Sequence, residues 1–200
     1  MTEKGILVAT TNPGKIKEIA QYLKNLPVTF VSLSQLQPKK MYTETGKTFQ
    51  ENARGKSLFY SRLWPGLTLA EDSGLEIDYL GGAPGVFSAR FSEPRATDEK
   101  NIQKTLALMK NVPENKRSAR FVSCLVLSKK GKIITEIQDC IEGVILREKR
   151  GKGGFGYDPI FFFPPLGKTF AEIDPKTKNR VSHRGRTLKK LGVFLNQYLL

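Results

Sequence analysis

The sequence predicts an α/β chain with a mixed, twisted sheet and flanking helices. Three observations predict it. In the first half, short apolar runs alternate with segments of helical periodicity, the pattern of parallel strands joined by crossover helices. Two runs of strand-type alternation, Ala119–Leu127 and Ile133–Val144, are then joined by Lys129-Lys130-Gly131-Lys132 and read as an antiparallel hairpin. Apolar residues make up 39% of the chain and include twelve phenylalanines, so a real core is available and a disordered chain is excluded. Two hundred residues without a repeat or a clear linker fit a single domain over 1–200.

Gly5–Ala9 (GILVA) is the first strand. Thr10-Thr11-Asn12-Pro13-Gly14-Lys15 follows, and Ile16, Ile19, Ala20, Leu23 and Leu26 then fall at helical spacing. A strand entering a polar loop that enters a helix aims backbone N–H groups and a positive dipole end above the loop. Asn12 reads as the N-cap and Pro13 as the first helical residue. A phosphate cradle is the other reading, and one loop serves both. Lys15 is poorly placed for the dipole unless it points at an anion. Val28–Val31 reads as a second strand and Ser32–Lys40 as a loop. Tyr42–Gly46 leads to a helix over Thr48–Leu63, with Phe49, Ala53, Ser57, Tyr60 and Trp64 on one face. The dipole explains Glu51 near the helix start, but nothing local explains Glu44. Lys56 reads equally as a surface lysine.

The densest stretch is Leu69–Arg90. The run Leu67–Ala70 is a short buried strand that breaks at Glu71-Asp72-Ser73-Gly74. That tetrapeptide reads as a surface turn or as acidic residues holding a metal or activating a water. Gly81-Gly82-Ala83-Pro84-Gly85 is a second stiff turn. A loop this costly in backbone entropy is more often a site than a spacer. Thr97-Asp98-Glu99 starts another helix, with Ile102, Leu106 and Met109 as its buried stripe. Arg150–Asp158 (RGKGGFGYD) has glycines for close backbone approach and aromatic faces that stack on bases. Pro159–Pro164 follows as an apolar strand, and Asp174–Asn179 as a short polar helix or turn. Ser182-His183-Arg184-Gly185-Arg186 opens a final helix, with Leu188, Leu191, Leu195 and Leu199 on one face. His183, the single histidine, is either structural or, beside Arg184 and Arg186, part of an anion or carbonyl-oxygen site.

A net charge of +14 implies an anionic partner: nucleic acid, a membrane surface or a phosphorylated small molecule. The charge is uneven, since Arg147–Lys190 carries twelve Lys/Arg against four Asp/Glu. A solvated surface is the plainer reading of the same numbers. No apolar run reaches the roughly 18 residues of a membrane span, and the first residues lack a signal-peptide pattern. Cys124 and Cys140 have no metal-ligand or disulfide spacing and read as buried thiols in a reducing cytoplasm.

Two basic or glycine-rich cradles, a carboxylate cluster, an aromatic glycine loop and a basic helix start suit a nucleoside triphosphate with a divalent metal. The sequence resembles the inosine triphosphate pyrophosphatase family, the Ham1-like proteins. The matching segments are Thr10–Lys15 (T-x-N-x-x-K), Glu44–Ala53 (ETG-x-TF-x-EN-A), Asp72–Leu75 (DSGL), Leu80–Arg90 (LGGAPGV-x-SAR), Gly153–Phe161 (GGFGYDPIF) and Ser182–Gly185 (SHRG). They run in family order across essentially the whole chain.

The resemblance implies a mixed sheet in two lobes around a central cleft, and a magnesium-dependent homodimer. It implies hydrolysis of ITP, dITP and XTP to the monophosphate and pyrophosphate, which clears them from the nucleotide pool. Asp72 matches the catalytic aspartate and a metal contact, and Glu44 the second metal carboxylate. Lys15 and Lys56 match catalytic cations. The loop of Thr10, Thr11, Asn12, Pro13, Gly14 and Lys15 would hold the triphosphate, with Ser73 as a hydrogen-bond partner. Phe155, Gly156 and Tyr157 would line the base, with Phe155 stacking on it. Asp158, Lys178, His183 and Arg184 would read its edge. Many members carry two aspartates where this chain has Glu71-Asp72, which puts a metal role for position 71 in doubt. A basic nucleic-acid-binding protein and a pyrophosphatase for modified pyrimidine nucleotides are the alternatives. The first leaves the carboxylates without a task, and the SHRG and GGFGYD segments argue against the second. No membrane contact and no stable nucleic-acid partner are expected.

Overall fold

A computed structural model describes residues 5–24 and 28–199. The chain divides into two compact units. The first is Met1–Asp72, Ser123–Asp139 and Arg184–Leu200; the second is Ser73–Val122 and Cys140–His183. Seven strands form one mixed sheet among the described residues: β1 Gly5–Val8, β2 Thr29–Ser32, β3 Leu67–Ile77, β4 Ser118–Lys129, β5 Lys132–Ile145, β6 Phe161–Phe163 and β7 Lys168–Thr169. Their order is β2-β1-β3-β4-β5-β6-β7. β1 pairs parallel with β2 and β3, while β5–β6 and β6–β7 are antiparallel. The expected α/β class with a mixed sheet and flanking helices is therefore what the chain forms.

In the first unit, α1 (Pro13–Leu23) connects β1 to β2, and α3 (Phe49–Ser61) precedes β3. Successive side chains leave a strand on opposite faces, and β3 sorts accordingly. Leu67 and Leu69 pack with Ile6, Val8 and Ile19, and with Leu188, Leu191 and Leu195 of α6 (His183–Tyr198). Ala70 packs on the other face with Leu7, Ala9, Tyr60 and Trp64. Phe49, Ala53, Ser57 and Tyr60 of α3 are all buried, as the helical spacing predicts. Trp64 lies just beyond that helix and is buried too, its indole N–H donating to Gly5 O at 3.2 Å.

In the second unit, Phe121, Phe161 and Phe170 form the centre of an aromatic core. α4 (Asp98–Leu108) starts at the Thr97 cap and buries Ile102. Leu80–Arg90 is pinned at Ser88. Its Oγ accepts Leu75 N–H at 2.9 Å, and its carbonyl accepts the Tyr157 hydroxyl at 2.8 Å and Asn101 Nδ2 at 3.2 Å. α5 (Pro175–Val181) is capped by Asp174, which settles that segment as a helix. The β4–β5 hairpin turns at Lys130 and Gly131, both at positive φ, a two-residue turn whose twist suits the strands.

Several expectations need correction. β3 does not break at Glu71-Asp72-Ser73-Gly74; it runs through to Ile77 with nearly every residue buried. Charged residues and glycine disfavour a strand locally, but tertiary partners override that preference here. Ser32–Lys40 is not all loop. Ser32 and Gln35 close a capping box around the short helix α2 (Leu33–Leu36). Leu199 lies past the end of α6 and is exposed, so it leaves the leucine face. Ala20 is exposed on α1; the Leu23 side chain and Leu26 lie outside the described residues. Cys124 is buried, but Cys140 is only half-buried.

Arg117 is the most unusual core residue. It is 1% exposed, yet its guanidinium meets only backbone carbonyls: Ile145 O at 2.7 Å, Met109 O at 2.7 Å, Leu146 O at 2.9 Å and Val112 O at 3.2 Å. One planar fork thus satisfies the end of α4 and the end of β5. Replacement by alanine strips four buried acceptors and leaves a void. Arg117→Ala should lower unfolding free energy by about 3 kcal/mol in urea titration. Arg117→Lys should recover less than half of it, because an ammonium cannot reproduce the fork. A loss below about 1 kcal/mol would contradict this reading.

Candidate active site

In the first unit, the parallel pairing of β1 with β3 decides where the phosphate-type loop lies. Ala9 N–H donates to Leu69 O at 2.8 Å, so Thr10–Lys15 leaves the sheet beside Glu71. Loops at the carboxyl ends of parallel strands are the usual ligand positions of α/β sheets. Asn12 Oδ1 accepts Lys15 N–H at 3.1 Å and caps α1, with Pro13 opening the helix. Thr10 is buried and its Oγ1 accepts Asn12 N–H at 3.2 Å. Thr11 and Pro13 are exposed, while Gly14 and Lys15 are half-buried.

Glu71 points to the face of β3 that carries α6. Its carboxylate is fully buried and accepts Arg184 Nε at 2.9 Å and Ser123 Oγ at 2.8 Å, with Lys15 Nζ at 3.7 Å. Arg184 also pairs with Glu18 of α1. Burial works against charge on Arg184, but Glu71 and Glu18 outweigh it and hold its pKa above arginine's usual value. Burial lowers the Lys15 pKa, and the neighbouring Arg184 and Lys56 add to that, opposed by Glu71. The Arg184 guanidinium thus pairs with two carboxylates of its own unit.

Asp72 points to the opposite face, towards α3, and is 7% exposed. Burial raises its pKa; Lys15 and Lys56 oppose that, Glu44 adds to it, and the Asn52 amide lowers it slightly. Lys56 pairs with Glu44 and donates to Glu71 O at 3.1 Å. The structure therefore gathers the Thr10–Lys15 loop, Glu44, Lys56 and Asp72 in one unit. Among the described residues, no group of three or more His, Cys, Asp or Glu makes an all-protein metal cage. Two carboxylates close enough to raise one pKa by repulsion fit a cation that takes its remaining ligands from phosphate oxygens and water.

The second unit gathers the aromatic glycine loop. Asp158 Oδ2 accepts Phe155 N–H at 2.9 Å and Lys178 Nζ at 2.5 Å, and both charged residues are buried. Lys178 Nζ also lies 4.7 Å from the Phe155 ring centroid. A side chain on Gly154, at φ +72°, would put Cβ 2.0 Å from Asp158 Oδ2, so only glycine fits there. Gly156 N–H donates to Asp98 Oδ2 at 2.7 Å, and Tyr157 is buried on Ser88. His183 is buried and stacks on Phe121 at 4.8 Å with an 11° interplanar angle. Ser73 is half-buried in β3 beside Asp72.

Sequence alone gives no role to Glu18, Ser123 or Asn52, although Asn52 stands among the polar residues of interest with Glu44, Glu51 and Lys56. Glu18 sits on α1 as an ordinary surface-type glutamate, and Ser123 is one hydroxyl in an apolar strand, so neither carried a signal. Asn52, three residues after the first residue of α3, is buried.

The sequence profile of the Ham1 family matches residues 6–194. This chain belongs to the Ham1 family. The Ham1 chain is 45% identical over 193 residues to the dITP/XTP pyrophosphatase of Desulforamulus reducens, covering 96% of both. It is also 45% identical to the dITP/XTP pyrophosphatase of Escherichia coli strain K12, over 93% of this chain and 95% of that one. Among solved structures, a HAM1 protein from Coxiella burnetii superposes with a TM-score of 0.87 at 38% identity, covering 96% of this chain and 98% of that one.

The raised Asp72 pKa has a stability consequence. A carboxyl whose folded pKa exceeds its unfolded value binds more protons folded, so stability falls as pH rises through the interval between the two. Once ionised, the buried Asp72 is thus a destabilising group in the isolated protein. Asp72→Asn should raise Tm by a few degrees at neutral pH, and the gain should shrink as pH falls through that interval. Thermal unfolding at stepped pH checks it; a variant less stable than wild type at neutral pH would contradict it.

Proposed function

We propose that this Ham1-family chain hydrolyses ITP, dITP and XTP to the nucleoside monophosphate and pyrophosphate, removing them from the nucleotide pool. One observation carries this: a buried carboxyl, Asp72, held among Lys15, Lys56 and Glu44 beside a capped loop, in a chain 45% identical along nearly its whole length to dITP/XTP pyrophosphatases. Water attacks the α-phosphorus, and Asp72 takes its proton. A raised pKa suits that task, because a base works best when its pKa approaches the working pH. Lys15 and Lys56 stabilise charge on the phosphate oxygens, and Thr10–Lys15 (Thr10, Thr11, Asn12, Pro13, Gly14 and Lys15) with Ser73 positions the triphosphate. Glu44 and Asp72 would hold Mg²⁺, which would neutralise phosphate charge when bound.

Phe155 stacks on the purine, lined by Gly156 and Tyr157. Asp158, Lys178 and His183 read its edge, together with Arg184 as Glu71 and Glu18 orient it. Donors that meet a 6-oxo group face the amino group of adenine, donor against donor, a mismatch worth up to about 10⁴-fold in favourable cases. The chain acts as a single domain over 1–200, in a cytoplasmic homodimer that uses the net +14 charge to attract polyanionic nucleotides and keeps no stable nucleic-acid partner. No helix among the described residues is long and apolar enough to cross a membrane.

The test is a panel of ITP, dITP, XTP, ATP, GTP and dUTP with Mg²⁺ and separate detection of pyrophosphate and orthophosphate. Pyrophosphate release should favour the first three by about 100-fold or more in kcat/KM. Asp72→Asn should lose roughly 10²- to 10⁴-fold in kcat while still binding ITP. Orthophosphate as the product, or equal rates across the panel, would overturn the proposal.

A further inference from the structure

Glu44 lies in a segment without regular structure, residues 41–47, yet a metal carboxylate has to keep its place relative to Asp72. The whole segment is fastened to α3. Tyr42 N–H donates to the Tyr60 hydroxyl at 3.1 Å. The Tyr42 hydroxyl lies directly on Gly55, where a Cβ would fall 1.9 Å from it. Lys47 N–H donates to Glu51 Oε2 at 2.7 Å. Gly46 N–H donates to Asn52 Oδ1 at 2.7 Å, and a Cβ on Gly46 would sit 2.7 Å from that same oxygen.

Asn52 is the unusual member of this set. It is fully buried, and a backbone N–H can be met only by its oxygen, which fixes the orientation of the amide. Its Nδ2 therefore faces the other way, and it finds no acceptor of good hydrogen-bond geometry among the described residues. A buried amide left half-satisfied is costly and calls for an explanation. The Asp72 carboxyl is the neighbouring group that this amide contacts. Asn52 also stands one helical turn before Lys56, the partner of Glu44, so both side chains leave the same face of α3.

We propose that Asn52 is a positioning residue that registers the Glu44 segment against Asp72, Oδ1 anchoring the segment through Gly46 and Nδ2 facing the carboxyl. Gly46 is the matching half of the device, since only glycine lets the backbone rest on the amide. The inference rests on the reading of Glu44 and Asp72 as metal carboxylates, and it adds how two ligands 28 positions apart are held in register. Outer partners of this kind typically alter metal affinity or activity by about 10- to 100-fold.

The test has two arms. Site-resolved hydrogen exchange of the metal-free protein follows the Gly46 amide, which should exchange about 10-fold faster in Asn52→Ala. Asn52→Asp keeps the acceptor and should keep Gly46 protected. In the second arm, Asn52→Ala should raise the Mg²⁺ concentration for half-maximal ITP hydrolysis, or lower kcat, by about 10- to 100-fold, with KM for ITP within about threefold. Gly46→Ala breaks the same contact from the loop side and should reproduce both effects, so it decides the matter if Asn52→Ala does not fold. An unchanged Gly46 exchange rate overturns the proposal, as does a KM rise without a change in Mg²⁺ dependence or kcat. A wild-type protein that hydrolyses no nucleotide would sink the functional reading, and the exchange arm would still decide whether Asn52 anchors the segment.

Discussion

The buried Glu71 carboxylate is the constraint on which the first unit depends. A carboxylate with no solvent exposure must be paired and hydrogen-bonded, because desolvation costs several kcal/mol per ion and only good geometry offsets it. Arg184, Ser123 and Lys15 meet that demand. Each comes from a different element, so satisfying one carboxylate fixes the start of α6, the middle of β4 and the first turn of α1 against β3. Glu18 closes the set from the far side of Arg184. Removing Arg184 would leave a buried carboxylate without its main ionic partner rather than merely delete a contact.

Strand geometry then gives adjacent acids different tasks. Glu71 faces α6 and the apolar cluster of Leu67 and Leu69, whereas Asp72 faces α3 with Ala70. Position 71 is saturated with cationic and hydroxyl partners, which suits a structural anchor. Position 72 has cations nearby, a second carboxylate and a buried amide, and its pKa rises through burial. The same contrast appears in the second unit. Asp158 is held by Lys178 and by the backbone of the loop that carries Phe155, so a buried ion pair shapes an aromatic platform.

What could be read from the sequence followed from how local each signal is. The Asn12 cap, the face of α3, the α4 stripe and the β4–β5 turn depend on residues a few positions apart, and periodicity or turn chemistry reveals them. The capping box of Ser32 and Gln35 was equally local and was passed over as loop. β3 was misread because Glu71-Asp72-Ser73-Gly74 has turn chemistry, and the partners that turn it into a strand lie at positions 15, 123 and 184. Pairings of that range carry no spacing rule. The site residues were nameable through family motifs, but their grouping by unit, and the commitment of Arg184 to Glu71 and Glu18, exist only in three dimensions.

The central claim is that Asp72 directs water at the α-phosphorus of a purine nucleoside triphosphate. The most direct measurement is ITP hydrolysis in H₂¹⁸O followed by mass spectrometry of both products. One ¹⁸O is expected in the inosine monophosphate and none in the pyrophosphate, with the labelled product lost in Asp72→Asn. Label in the pyrophosphate would place the attack on the β-phosphorus and contradict it.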